Sequence, residues 1–168
     1  ALNGYLSFKN ASKNLVLENV MSNSFYNKVK TYYAGTEIRA ITANGKIILV
    51  SDTVVNLSKD NILKDVILYA PAFVIESGFK GSCQIFARDS IITGEKVVFE
   101  YPSVLGIIKP ASSKIQAKIS IGENNLFQGV LFTAESKRSD LQTLISLGKN
   151  TNIEGEVFSS GFIKLEKP

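Results

Sequence analysis

The sequence contains no histidine and no tryptophan, and its 168 residues include a single cysteine, Cys83. Without histidine, the chain has no imidazole metal ligand and no catalytic triad that uses histidine as its base. One cysteine cannot form an internal disulfide, and its position in an apolar segment predicts a small buried side chain. We therefore predict no metal site and no cofactor.

Charge of one sign is also scarce, because 19 lysine and arginine residues face 15 acidic residues and the net charge is only +4. The lysines are scattered, which is typical of a soluble surface. A nucleic-acid-binding protein would need clustered lysine and arginine with interleaved aromatic residues. The sequence therefore predicts no nucleic-acid partner.

Long apolar runs are missing as well. The longest, from Val66 to Ile75, is far shorter than the roughly 20 residues that cross a bilayer as a helix. The first residues have no signal-peptide pattern, and the chain starts at Ala1 rather than Met. We expect this chain to be a processed or truncated piece whose anchor could have been removed.

What the sequence does contain is an internal repeat. Each copy has a large apolar residue, a polar residue, a glycine and then an apolar strand. The three copies begin at Phe79, Phe127 and Ile153, and their glycines are Gly81, Gly129 and Gly155. We predict that these glycines occupy equivalent turns, where a positive φ favours glycine.

Two further alignments extend the repeat. Apolar strands that end at Val50, Ala70 and Ala87 align at offsets of 20 and 17 residues. Residues 119–122 align with residues 145–148 at an offset of 26, which also pairs Gly129 with Gly155 and Phe132 with Phe158. Residues 135–142 are interpreted as an inserted loop, and residues 101–113 as a similar excursion bounded by prolines that cannot donate to a ladder.

Short strands that recur every 17 to 26 residues without helical segments predict an all-β, single-stranded parallel β-helix, or β-solenoid. The hexapeptide period of left-handed solenoids is missing, which favours a right-handed helix with uneven coils. The alternative is an antiparallel β-sandwich or jelly roll. We predict one domain over 1–168, with an irregular N-terminal coil or cap at 1–35 and stacked coils at 36–168.

Part of the chain resembles a known group of proteins. The segments that carry the resemblance are 22–25, 45–51, 63–71, 77–90 and 101–103. They resemble uncharacterised envelope proteins of Bacteroidetes-type bacteria that have an N-terminal membrane helix and a β-rich extracytoplasmic region. The resemblance implies that this chain is the soluble part of an anchored, extracytoplasmic protein, and it assigns no catalytic residue. The predicted coils are also similar, at the level of the fold, to bactofilin-type solenoids.

Two aspartates are weak catalytic candidates. The predicted alignment places Asp52 and Asp89 at one coil position, with Ala72 in the coil between them and Glu76 and Arg88 nearby. Two coil steps of about 4.8 Å would separate them by about 10 Å, close to the roughly 6.5–9.5 Å between the carboxylates of inverting glycosidases. Both aspartates could equally cap backbone N–H groups at turns.

Three hypotheses for function follow. The first is a non-catalytic envelope protein, a monomer or weak dimer, which presents a rigid surface to a protein partner or to cell-envelope polysaccharide. The second is a polysaccharide hydrolase or lyase that uses Asp52 and Asp89. The third is a carbohydrate-binding module that stacks sugars on tyrosines, with Tyr32, Tyr33, Tyr69 and Tyr101 as candidates.

Overall fold

The computed structural model describes residues 16–135 and 141–166, and within these ranges the chain is all-β. The strands are β1 Val20–Asn23, β2 Lys30–Tyr33, β3 Glu37–Ile38, β4 Thr42–Gly45, β5 Ile47–Val50, β6 Val54–Leu57, β7 Ile62–Ile75, β8 Lys80–Thr93, β9 Val98–Lys109, β10 Lys118–Ile121, β11 Leu126–Glu135, β12 Leu144–Leu147, β13 Asn152–Ser159 and β14 Phe162–Leu165.

Every pairing between these strands is parallel. The strands form a β-solenoid of seven coils, and each coil stacks on the coil before it. An antiparallel sandwich is excluded, because its neighbouring strands would run in opposite directions. The fold class predicted from the repeat is confirmed.

Each coil contributes one segment to each of three faces. Face A contains β1, β4 and the first residues of β7, β8, β9, β11 and β13. Face B contains β2, β5, the middle of β7 and β8, and the later residues of β9, β11 and β13. Face C contains β3, β6, the ends of β7 and β8, and β10, β12 and β14.

The core is built from ladders of like residues that point inward from each face. On face B, the register stacks Tyr32, Leu49, Leu68, Ile85, Leu105, Leu131 and Val157. On face C, it stacks Val55, Phe73, Ile91, Ile119, Ile145 and Ile163. Burying each such side chain contributes about 1.5–3 kcal/mol, so neighbouring coils stabilise one another.

The alignment of the C-terminal coils is confirmed residue by residue. Ile119 pairs with Ile145, and Phe132 pairs with Phe158. The N-terminal alignment is only partly right. Ala70 does pair with Ala87, but Val50 pairs with Tyr69 and not with Ala70. The error arises at the bend between faces B and C, where the coils differ by one residue.

Two segments differ from their predicted boundaries. The stack begins at β1, so residues 20–35 already belong to it, while residues 1–15 lie outside the described residues. The prediction of an excursion at 101–113 is wrong, because β9 continues through Pro102 to Lys109. The ladder with β8 is interrupted between Phe99 and Val104, so the missing N–H of Pro102 costs no bond to β8. Of the predicted 135–142 loop, residues 136–140 lie outside the described residues.

Candidate functional site

The two candidate aspartates lie at the bend between faces B and C, two coils apart. Ala72 does not lie between them, because it pairs with Val54 and Ser90. Asp52 therefore precedes that register position by two residues and Asp89 precedes it by one. Pro71, and not Ala72, is the residue at the bend in the intervening coil.

The carboxylate of Asp89 is held by its neighbour. The guanidinium of Arg88 donates from Nε to Oδ1 at 3.1 Å and from Nη2 to Oδ2 at 2.9 Å. Both oxygens are engaged, and this bidentate geometry stabilises the charged form. An inverting glycosidase needs one carboxylic acid that donates a proton and one carboxylate that activates water. Asp89 is arranged for an ion pair and for neither role.

Glu76 serves as a link between coils. It accepts a hydrogen bond from the backbone N–H of Lys59 at 2.9 Å and another from the Ser58 hydroxyl at 2.8 Å. These bonds favour the charged carboxylate and lower the pKa of Glu76. Its chemistry is that of an anchor for the turn at Ser58, and not that of a general acid.

We expect Glu76 to titrate below the usual range for glutamate, and Ser58→Ala to move its pKa upward because one bond is lost. Since the folded pKa is lowered, the stabilisation by Glu76 is present above its unfolded pKa and disappears as pH falls through the folded pKa. Titration of the Glu76 side chain by NMR in both proteins checks this. A pKa that is unchanged by Ser58→Ala would contradict it.

No metal site is found among the described residues, in agreement with the absence of a group of three potential ligands there. Asp60 accepts a bond from Arg39 at 3.3 Å. The buried amide of Asn61 instead joins two coils: it donates to the carbonyl oxygens of Ile38 and Ser58 and accepts from the N–H of Ile41. These polar residues hold the turn in place.

The three repeat glycines do not share one position. Gly129 and Gly155 pair with each other, and their φ angles are 147° and 151°. Gly81 pairs with Phe99, which in turn pairs with Phe127, so it lies at a different step of the ladder. Its role is to leave room for a ring, because a Cβ on Gly81 would lie 3.0 Å from Cζ of Phe79.

The outer surface of face B is the most distinctive surface of the solenoid. Its outward positions form two columns, which run along the stack beside each other. One column contains Ile48, Ile67, Val104 and Val130; the other contains Tyr33, Tyr69, Phe86, Phe132 and Phe158. We call these nine residues the outer B surface. Most are half-buried against one another, and Phe158 is 60% exposed.

Small residues between the rings make the aromatic column continuous. Gly106 occupies the step between Phe86 and Phe132, and a Cβ there would lie 3.0 Å from Cδ1 of Phe86 and would overlap the Phe132 ring. The two rings meet over this glycine with their centroids 6.3 Å apart and their planes tilted by 57°. The outer B surface is therefore a packed apolar sheet surface.

The candidate tyrosines separate in the structure. Tyr32 points inward and is buried, whereas Tyr33 and Tyr69 belong to the outer B surface. Tyr101 is 78% exposed at the bend between faces A and B. The structure thus places two of the four tyrosines in one column, and it does not form a platform from all four.

A shallow depression of about 330 Å³ adjoins the outer B surface near its N-terminal end. Phe25 and Val29, in the segment between β1 and β2, form one side, and Ile48 and Ile67 form the floor. Phe25 is 62% exposed and the adjacent Tyr26 is fully exposed. The segment adds further apolar area to the same side of the molecule.

Sequence reasoning did not identify this surface, although a signal for it was present. Consecutive apolar residues in a parallel strand indicate that both sides of the sheet are apolar. Ile67, Leu68 and Tyr69 give this pattern, but it was used only as evidence for the fold.

Within residues 16–135 and 141–166, no helix is long and apolar enough to cross a membrane. Comparison of the sequence with protein-family models gives no match. Searches of curated proteins and of solved structures also give no match.

Proposed function

We propose that this chain is a non-catalytic structural or interaction protein whose outer B surface binds an apolar segment of a protein partner. The observation that carries the proposal is the pair of apolar columns on the outside of a parallel sheet. Parallel sheets are normally covered on both sides, and a contiguous apolar surface of this kind marks an interaction site.

A protein segment fits the outer B surface better than a sugar does. Carbohydrate recognition needs hydrogen-bonding groups beside the aromatic rings. The column next to Tyr69 and Phe86 contains Ile67 and Val104, so few such groups are available there. An apolar strand or helix of a partner would satisfy its own backbone bonds and bury side chains against both columns.

The envelope location is a second part of the proposal. It is supported by the resemblance of residues 20–103 to envelope proteins. Fractionation of host cells with an antibody to this chain tests it, and we expect the protein in the extracytoplasmic or membrane fraction. Recovery in the cytoplasmic fraction would contradict the location without affecting the proposed binding surface.

Site-specific photo-crosslinking tests the binding surface. A photoreactive residue at Ile67 should yield a discrete crosslinked protein in host cells, because Ile67 lies at the centre of the outer B surface. The matched control is Val74, which is 41% exposed on the outside of face C. Equal crosslinking at both positions, or none at Ile67, would contradict the proposal.

The enzyme hypothesis makes a different prediction, which we expect to fail. Because Asp89 is engaged by Arg88, replacing both aspartates in Asp52→Asn/Asp89→Asn should leave the release of reducing ends from a panel of envelope polysaccharides at the level of a blank, as in the wild type. Hydrolysis by the wild type that is lost in the double variant would establish catalysis and overturn the proposed function.

A further inference from the structure

The two ends of the described stack differ in how well they are closed. In the first coil, the inward residues Met21, Tyr32 and Ile38 are only 3%, 5% and 1% exposed. The seventh coil consists of β13 and β14, and its inward residue Ile163 is 49% exposed. The residue that stacks beneath it, Ile145, is fully buried. The seventh coil therefore leaves apolar interior residues open to solvent.

The backbone of the seventh coil is open along the same edge. Among the described strands, β13 pairs only with β11 and β14 pairs only with β12. One edge of each strand is thus a row of N–H and C=O groups that can pair with another strand. Its charged residues Glu154, Glu156 and Lys164 alternate with inward apolar residues, so they point sideways and do not block the edge.

We propose that the seventh coil binds the seventh coil of a second copy of this chain, end to end, about a two-fold axis that passes through Val157. Two identical ends related by such an axis present antiparallel strand edges to each other, which allows continuous backbone pairing. Val157 of one copy then lies beside Val157 of the other. Ile153 on face A lies near Ile163 on face C of the second copy.

The rise of the solenoid determines where the axis passes. The chain advances by about 4.8 Å per coil, so within one coil face A lies lowest, face B lies in the middle and face C lies highest. An axis through face B brings the low face A of one copy against the high face C of the other. The gap between the copies is then uniform, whereas an axis through face C would hold two high faces together and separate the rest.

Charge favours the same arrangement. With Val157 on the axis, Glu156 lies opposite Phe158 of the second copy, and Glu154 lies on the same side as Lys164 of the second copy. An axis through Gly155 would instead place Glu154 opposite Glu156, and like charges in directly opposed positions are destabilising. The axis through Val157 therefore combines apolar and opposite-charge contacts.

The expected assembly is a weak dimer. A single coil end offers only a few apolar side chains, which is a small area compared with the roughly 800 Å² per partner of a stable interface. The inward residues of the first coil are already buried, so the other end offers no matching contact. Association should stop at two copies and should not produce a filament.

Sedimentation equilibrium tests the association. We expect the wild type to pass from monomer to dimer as its concentration rises through the micromolar range. Val157→Lys should weaken the dimer at least about tenfold, because it buries an unpaired charge at the axis. The matched control Val74→Lys, on the outside of the third coil, should dimerise like the wild type. A wild type that stays monomeric to millimolar concentration would overturn the proposal.

Disulfide crosslinking tests the position of the axis. Directly opposed residues in antiparallel strands have Cβ atoms about 4.5–5.5 Å apart, so Val157→Cys should form a crosslinked dimer on mild oxidation. Cys83 will not interfere, because it is fully buried and burial raises the pKa of its thiol to about 12. Val74→Cys is the exposed control and should remain monomeric.

A mixture of two single variants tests the pairing of faces. Ile153→Cys and Ile163→Cys chains should crosslink when they are mixed, and more efficiently than either chain alone. If Ile163→Cys alone crosslinks best, the axis passes through face C and the proposed geometry is wrong. Equal crosslinking of Val157→Cys and Val74→Cys would show random collision and would also overturn it.

Discussion

Phe99→Ala should be among the most destabilising single substitutions in this protein. The Phe99 ring is buried in the fifth coil, between Phe79 and Phe127, with ring centroids 5.5 Å and 5.7 Å away. Truncation removes contacts to both neighbours and leaves a cavity, for which losses of about 3–5 kcal/mol are typical. For a chain of this size, that corresponds to a fall in Tm of roughly 6–20 °C.

The control is Phe158→Ala, which removes the same side chain from the outside of the seventh coil. Phe158 is 60% exposed, so its removal should change the free energy of unfolding by about 0.5 kcal/mol or less. Urea denaturation of both variants measures the difference. Equal small losses would mean that Phe99 is not part of a stacked core.

The aromatic stack also explains the glycine in its register. Gly81 pairs with Phe99, and the ladder step that a larger side chain would fill is occupied by the ring of Phe79 from just before β8. The sequence shows both residues in the first repeat copy. It cannot show that a ring outside the strand replaces a ladder residue, because that depends on the path of the turn.

The sequence predicts the C-terminal coils well for a physical reason. From Ile119 to Phe158 the repeat offset stays at 26 residues, and equal coil lengths keep equivalent residues in one register. Stacking then brings identical residue types together. Composition and spacing are sufficient there, because each coil makes its main contacts with its neighbours.

The bends are where sequence alignment fails. Three residues separate β5 from β6, whereas β7 passes through the same bend without a break and β8 contains one residue more than β7 there. An error of one residue reverses the side of the sheet on which a side chain lies. For this reason the alignment located the bend with Asp52 and Asp89 but misplaced Ala72, and it could not identify the outer B surface.

The second large effect is expected at Gly129. Its φ of 147° is strained for a residue with a side chain, and an added Cβ would overlap the carbonyl oxygen of Ser103 in the coil below. Strain of this kind costs about 1–3 kcal/mol, and the overlap must also displace one coil from the next. We expect Gly129→Ala to lose at least about 3 kcal/mol, at the upper end of that range.

Three other glycines separate the causes of that loss. Gly155 has the same conformation and would overlap Gly129, but it lies in the open seventh coil, where local unfolding limits the loss, so Gly155→Ala should cost less. Gly81→Ala should cost an intermediate amount, since its Cβ would lie 3.1 Å from the Leu63 carbonyl oxygen. Gly35→Ala meets no atom within 4 Å and should be nearly neutral. Urea melts of the four variants measure this order, and a neutral Gly129→Ala would show that the coils do not approach closely at Ser103.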